Sequence, residues 1–260
     1  MKLKSFSFIF LLLVILIGCN DSTSDEFDDA NPDAVARYIE TIDVISAQDS
    51  DENTTITVNY DANNRVSSIT DGIESSIFVY NNNALTNISG QGDNLDIEEL
   101  YESPYNAFET GEVTEYDSNG NPKKITFIEY EYDYMNDVEV ELEYTAEITY
   151  DANPNPYFYT LDAAGVISVL DDVDLYLTMS NASSNQAVQA RLLFPLNNIT
   201  GIVYKDEDGE TVYNVSADYV YNSVSYPVSG TVTGIEYYEN FQGQEETETS
   251  IFSVAYTYRQ

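Results

Sequence analysis

The sequence has no histidine, no tryptophan and one cysteine, and sets only 9 Lys+Arg against 46 Asp+Glu in 260 residues. Each scarcity removes a class of function. Without histidine there is no Ser-His-Asp or Cys-His machinery, no imidazole-held zinc and no His-ligated haem. A formal charge of −37 argues against nucleic acid, and against an anionic membrane surface as a docking partner. One cysteine cannot staple the chain to itself, so stability must come from a core. The length permits one large all-β domain as readily as two small ones. No catalytic motif is recognisable, and the reading at this point is of a protein that is not an enzyme.

What is present begins with an address. Lys2 and Lys4 precede an apolar run of ten residues, Phe8 to Ile17. A transmembrane helix needs about twenty, so residues 1–18 read as a secretory signal. The run ends in Leu16-Ile17-Gly18-Cys19, which resembles the lipobox of bacterial lipoproteins. The resemblance implies cleavage before Cys19 and acylation of its thiol and new amino group. The implied partner is then a membrane held through an N-terminal lipid anchor, in the envelope of a Gram-negative bacterium and at its outer membrane. A single acyl chain binds membranes only marginally, so several are required. Losing Lys2 and Lys4 leaves 7 basic residues against 46 acidic ones.

Residues 19–36 read as a solvated acidic tether. Five of the thirteen residues from Asn20 to Pro32 are acidic, and apolar content is low. An acidic stretch after the lipidated cysteine also resembles the surface-export tag of lipoproteins in one large Gram-negative phylum; a spacer without address value fits equally.

Residues 37–260 read as one antiparallel β domain. Ile56-Thr57-Val58-Asn59-Tyr60-Asp61-Ala62-Asn63-Asn64-Arg65-Val66 is alternating strand, Tyr-Asp, an Asn-rich turn, then strand. The layout returns at Tyr80-Asn81-Asn82-Asn83, Tyr116-Asp117-Ser118-Asn119-Gly120 and Tyr150-Asp151-Ala152-Asn153, and more loosely at Tyr204-Lys205-Asp206 and Tyr221-Asn222. In each copy Asp or Asn can accept bonds from turn N–H groups, and the following Asn or Gly tolerates a left-handed backbone. The copies predict hairpins. The pattern is similar to the YD repeats of bacterial cell-surface proteins, and closer to lipoproteins of unknown function with a few degenerate copies. Asn153-Pro154-Asn155-Pro156-Tyr157-Phe158, and Asp218-Tyr219-Val220-Tyr221 followed by Tyr226-Pro227, add to the likeness. It spans most of residues 37–258 and implies an antiparallel meander, curled or barrel-like, with no known activity. It also favours a strand from Arg37 to Ile45, where Val35, Tyr38, Ile42 and Ile45 would equally suit a helix.

Residues 128–150 alternate with period two. Ile128, Tyr130, Tyr132 and Tyr134 interleave with Glu129, Glu131 and Asp133; Val138, Val140, Leu142 and Tyr144 interleave with Glu139, Glu141 and Glu143. Two strands with both apolar rows on one buried face require an even register, such as Tyr134 opposite Val138. That register sets Asp133 against Glu139, Glu131 against Glu141 and Glu129 against Glu143. Such a ladder is a solvated, anti-aggregation face, a calcium site, or a carboxyl pair spaced for glycoside hydrolysis. The solvated face is the expectation, with no cofactor and calcium as the one cation to consider. Asp49-Ser50-Asp51-Glu52-Asn53 starts like a calcium loop, but Thr54 and Tyr60 occupy the glycine and glutamate positions. Asp206 to Glu210 and Asp171 to Asp174 read as acidic turns.

One short helix is expected near residues 160–177, where Leu161, Ala164, Ile167, Leu170, Val173 and Leu177 recur at three or four, with a break at Asp171-Asp172. The 23 tyrosines suit half-buried sheet positions, ring inward and hydroxyl wet. The same stripe on an open surface would stack sugar rings. The leading functional expectation is a non-catalytic envelope lipoprotein, structural or binding. Glycan or small-ligand recognition on a Tyr-lined surface follows, then a carboxylate-only carbohydrate hydrolase. A transmembrane barrel fits poorly, since no continuous lipid-facing apolar band can be assigned.

Overall fold

The computed structural model describes residues 22–90, 94–95, 112–133, 137–172, 174–177, 186–189, 192, 194–240 and 242–259. Its fold is mostly antiparallel β. The strands are β1 (Tyr38–Ser46), β2 (Thr54–Tyr60), β3 (Val66–Thr70), β4 (Ser75–Asn81), β5 (Ala84–Ser89), β6 (Asn94–Leu95), β7 (Glu112–Tyr116), β8 (Pro122–Asp133), β9 (Val138–Pro154), β10 (Asp174–Leu177), β11 (Gln186–Gln189), β12 (Asn197–Lys205), β13 (Thr211–Tyr221), β14 (Pro227–Glu239) and β15 (Glu245–Arg259). Thirteen form one sheet in the order β6-β5-β4-β3-β2-β1-β15-β14-β13-β12-β9-β8-β7, and β10 and β11 pair apart. Read from β7, each neighbour follows in chain order once β15 is joined to β1. This is the order of an up-and-down barrel, open between β6 and β7 among the described residues.

The hairpins carry one turn chemistry. At Asp61–Arg65, Asp117–Asn121, Asp206–Glu210, Asn222–Tyr226 and Asn240–Gln244, the first residue's N–H donates to the fifth residue's carbonyl, and the fourth residue's N–H donates to the first's. The first side chain accepts from the N–H groups of the third and fifth residues. The fourth residue is left-handed in every copy: Asn64, Gly120, Gly209, Ser225 and Gly243. Asn82 and Asn83, both at positive φ, make the tighter two-residue turn between β4 and β5. The expected copy at Tyr150 is different. It forms no hairpin but ends β9, where register shifts against β12 bring Pro154 opposite Asn197.

Residues 23–30, expected within a tether, form α1 (Thr23–Ala30). Ser22 and Asp25 close a capping box at its start, and Phe27 is fully buried with its ring stacked 3.6 Å from Phe158. One aromatic anchor and a good cap outweigh the low apolar content. The single expected helix divides into α2 (Phe158–Ala163) and α3 (Val166–Asp172). The break falls at Ala164-Gly165 instead of Asp171-Asp172. Gly165 has φ +79°, and a Cβ there would press on Leu85 at 3.1 Å. Asp171 ends α3 by accepting from the N–H and hydroxyl of Thr23.

The three helices lie on the inward face. Tyr80 of β4 donates to the carbonyls of Val66 and Ala164, tying the α2–α3 corner to one side. Asn31, after α1, donates to Leu196 and accepts from Asn197, tying α1 to the other. The outward row of β15, β1, β2 and β3 is polar instead. Thr41 bonds Thr257, Thr55 donates to Asp43, and Asn59 donates to Ser68.

The β8–β9 hairpin forms, but its register is odd. Glu129 faces Leu142, Glu131 faces Val140 and Asp133 faces Val138, while Tyr130 faces Glu141 and Tyr132 faces Glu139. The reason lies at the base, where Ile125, Phe127 and Ala146 are buried and pair without a bulge as Ile125↔Ala146 and Phe127↔Tyr144. The apolar parity of β8 switches at Phe127-Ile128, and the buried base decides. Toward the tip Val138 and Val140 are exposed at 47% and 37%, and Tyr132 at 48%.

Candidate ligand cavity

Two apolar clusters line the inward face. One joins α1–α3 to β1–β3, β5 and β15; the other is built on Ile125, Phe127, Ala146 and Ile148. Between them β13 and β14 carry small inward residues. Gly230 lies under the Tyr219 ring and Gly234 under the Tyr213 hydroxyl, leaving no room for a Cβ at either position. Where neither cluster reaches, a cavity of about 250 Å³ remains. Its walls are Ile199 and Ile202 from the second cluster, Tyr219 and Val232 from the first, and Val215, Ala217, Pro195 and Tyr157. Asn155, Asn197, Asn198 and Thr200 supply its polar lining.

The asparagines play different parts. Asn197 Nδ2 donates to Asn31 Oδ1 and to the Asn153 carbonyl, and its Oδ1 accepts from Asn119 and Asn121. The fully buried Asn121 receives the N–H groups of Leu196 and Asn197. These amides are saturated and structural. Asn198 sits at the edge of a smaller group: Tyr221 donates its hydroxyl hydrogen to Asp151, and Asn198 Nδ2 donates to Tyr221 Oη at 2.9 Å. Burial, and then the bond to the Asp151 carboxylate, push the Tyr221 hydroxyl up to about 12. Burial likewise raises the hydroxyls of Tyr219, Tyr256 and Tyr258.

The residues singled out by sequence lie elsewhere. In the β8–β9 register none of Glu129, Glu131 and Asp133 pairs with Glu139, Glu141 or Glu143. The facing-carboxylate ladder is therefore not formed. Glu143 lies beside Lys124 and Lys205, and Lys205 pairs with Glu147 at 2.8 Å. Among the described residues, no three His, Cys, Asp or Glu side chains gather as a metal site. Asp49 caps a short helical turn over Ser50–Glu52, and Asp206 is spent on its own turn. Cys19 lies outside the described residues. Asn198 and Ala217 were missed: one follows a buried asparagine in a plain strand, and the other is unremarkable in an alternating run. The only available signal was the Tyr150 copy, whose Asn-Pro-Asn-Pro continuation cannot extend a hairpin ladder.

No protein-family profile and no curated protein matches this chain. Among solved structures it is similar to a porin-like protein from Bacteroides uniformis ATCC 8492, with 12% identity and a TM-score of 0.36, over 85% of this chain and 96% of that one. A porin-like protein from Bacteroides vulgatus ATCC 8482 is similar over 86% and 99%, with 14% identity and a TM-score of 0.38. At such values neither neighbour's name transfers to this chain.

Proposed function

We propose that this chain is a non-catalytic lipoprotein of the Gram-negative cell envelope, acylated at Cys19 and anchored at the outer membrane, whose β domain is a binding module with the seam cavity as its ligand site. The observation that carries the binding reading is that cavity, a gap between two otherwise filled apolar clusters with part of a buried polar group on its wall. Among the described residues its lining contains no carboxylate, which speaks against a carbohydrate hydrolase. The inward tyrosines speak against an open sugar-stacking face. Tyr60, Tyr150 and Tyr258 donate their hydroxyls to the carbonyls of Ile39, Pro122 and Pro227. The exposed neighbours Tyr237 and Tyr238 alternate on one strand and so look to opposite faces.

The anchor reading rests on the basic start, the ten-residue apolar run and the single cysteine. Only Asn20 and Asp21 separate Cys19 from the cap Ser22, roughly 10 Å of extended chain. Acylation would therefore hold α1, and the sheet docked on it, close to the bilayer. Mass spectrometry of the mature N-terminus tests the anchor, with diacyl or triacyl Cys19 expected. An unmodified terminus at another residue contradicts it.

A further inference from the structure

The chemistry of the seam cavity narrows what it holds. Tyr221 spends its hydroxyl hydrogen on Asp151, so its oxygen can only accept. The Asn198 group facing it must then be the amide nitrogen. That turns Oδ1 the other way. Asn198 lines the cavity and is only 4% exposed, yet its Oδ1 accepts no hydrogen bond from any described residue. An unpaired acceptor on the cavity wall is open to a donor from a ligand, and it is fixed in place by a group that cannot turn it.

We infer that the cavity binds an uncharged apolar molecule, an aromatic ring or short alkyl chain, bearing one hydroxyl or amide N–H that donates to Asn198 Oδ1. This deepens the binding-module reading and rests on it. The size fits. A cavity of about 150 Å³ holds benzene, so about 250 Å³ admits a ring with a short arm. The walls contributed by Ile199, Ile202, Val215, Val232 and Tyr219 ask for an apolar body. A carboxylate is disfavoured because, among the described residues, no basic side chain lines the cavity and Asp151 stands behind Asn198. An ammonium group is disfavoured because no carboxylate lines it among the described residues, and one amide oxygen cannot replace its water.

The test is calorimetric titration of the full mature chain in lipid nanodiscs, using 3-phenyl-1-propanol, propylbenzene, 3-phenylpropanoate and 3-phenylpropylammonium. The alcohol should give saturable one-to-one heats, about three- to tenfold tighter than propylbenzene, and the two ions none. Ala217→Phe fills the cavity and should abolish the heats; it also serves as the blank for partition into lipid. Val232→Phe is a second filling variant should the first lower the thermal melt. Asn198→Leu should bind the alcohol no better than propylbenzene. The inference is overturned by no saturable heat from the alcohol, by unchanged heats in both filled variants, or by tighter binding of either ion. Failure of the anchor reading shows separately, in the N-terminal mass; an unacylated chain stays in buffer, where the same titration runs without nanodiscs.

Discussion

Two long acidic hairpins of one sheet solve the same problem differently. In β8–β9 the positions Glu129, Glu131 and Asp133 each pair with an apolar position across the ladder. In β14–β15, Glu236 faces Glu248 and Glu239 faces Glu245. Like charges directly opposite each other cost a few tenths of a kcal/mol to about one, and only one hairpin avoids that cost. Neither register is chosen by the charges. Below the first tip, Ile125 and Phe127 must pack with Ala146 and Tyr144; below the second, Val232 faces Phe252, and the Asn240–Gln244 turn closes the far end. The core and the turn set the pairing, and the solvated tips follow.

That comparison can be broken at the base. Phe127→Ala, at a position 4% exposed, should cost about 3–5 kcal/mol in chemical denaturation. A loss below about 1 kcal/mol would mean that the base does not hold the register. The pairing itself can be read by cross-linking: Glu131→Cys with Val140→Cys should oxidise to a disulfide and add about 2 kcal/mol, whereas Glu131→Cys with Glu141→Cys should stay reduced. The reverse outcome would restore the even register. The smallest effects belong at the tips. Val140→Lys should change stability by less than about 0.5 kcal/mol, and Glu248→Lys should raise the melting temperature slightly by placing a cation opposite Glu236. A melt lowered by several degrees in either variant would show a tip packed against something else.

The turn chemistry was the most legible part of the fold, because an Asp or Asn two and four residues before the N–H groups it receives is a local fact of sequence. The first strand and the all-β class followed from alternation and from the family likeness. The β8–β9 register was not legible from its tip. Ile128, Tyr130 and Tyr132 form a cleaner apolar row than Ile125 and Phe127, and only tertiary burial tells which row is inside. α1 hid behind composition, since one phenylalanine among acids looks like linker until Phe158 is placed on its ring. The Asn198–Tyr221–Asp151 group joins β9, β12 and β13 and has no sequence-local trace.

The tyrosines decide between a filled interior and an open sugar-stacking surface, and their protons can be counted. Burial raises the hydroxyls of Tyr80 and Tyr221 from 10.0 to about 12, and those of Tyr60, Tyr150, Tyr204, Tyr219, Tyr226, Tyr256 and Tyr258 also upward. Below pH 10 folded and unfolded phenols are both neutral, and their contribution to stability is complete. Above it the unfolded chain sheds protons that the folded chain keeps, so stability falls as pH climbs from 10 toward 12. Absorbance at 295 nm, followed with circular dichroism from pH 8 to 13, should show some of the 23 tyrosines ionising near the ordinary value, and the rest in one cooperative step together with loss of the sheet signal. Ionisation of all the tyrosines in a single smooth wave near pH 10, with the sheet intact, would mean that the tyrosine face is open and would contradict the account.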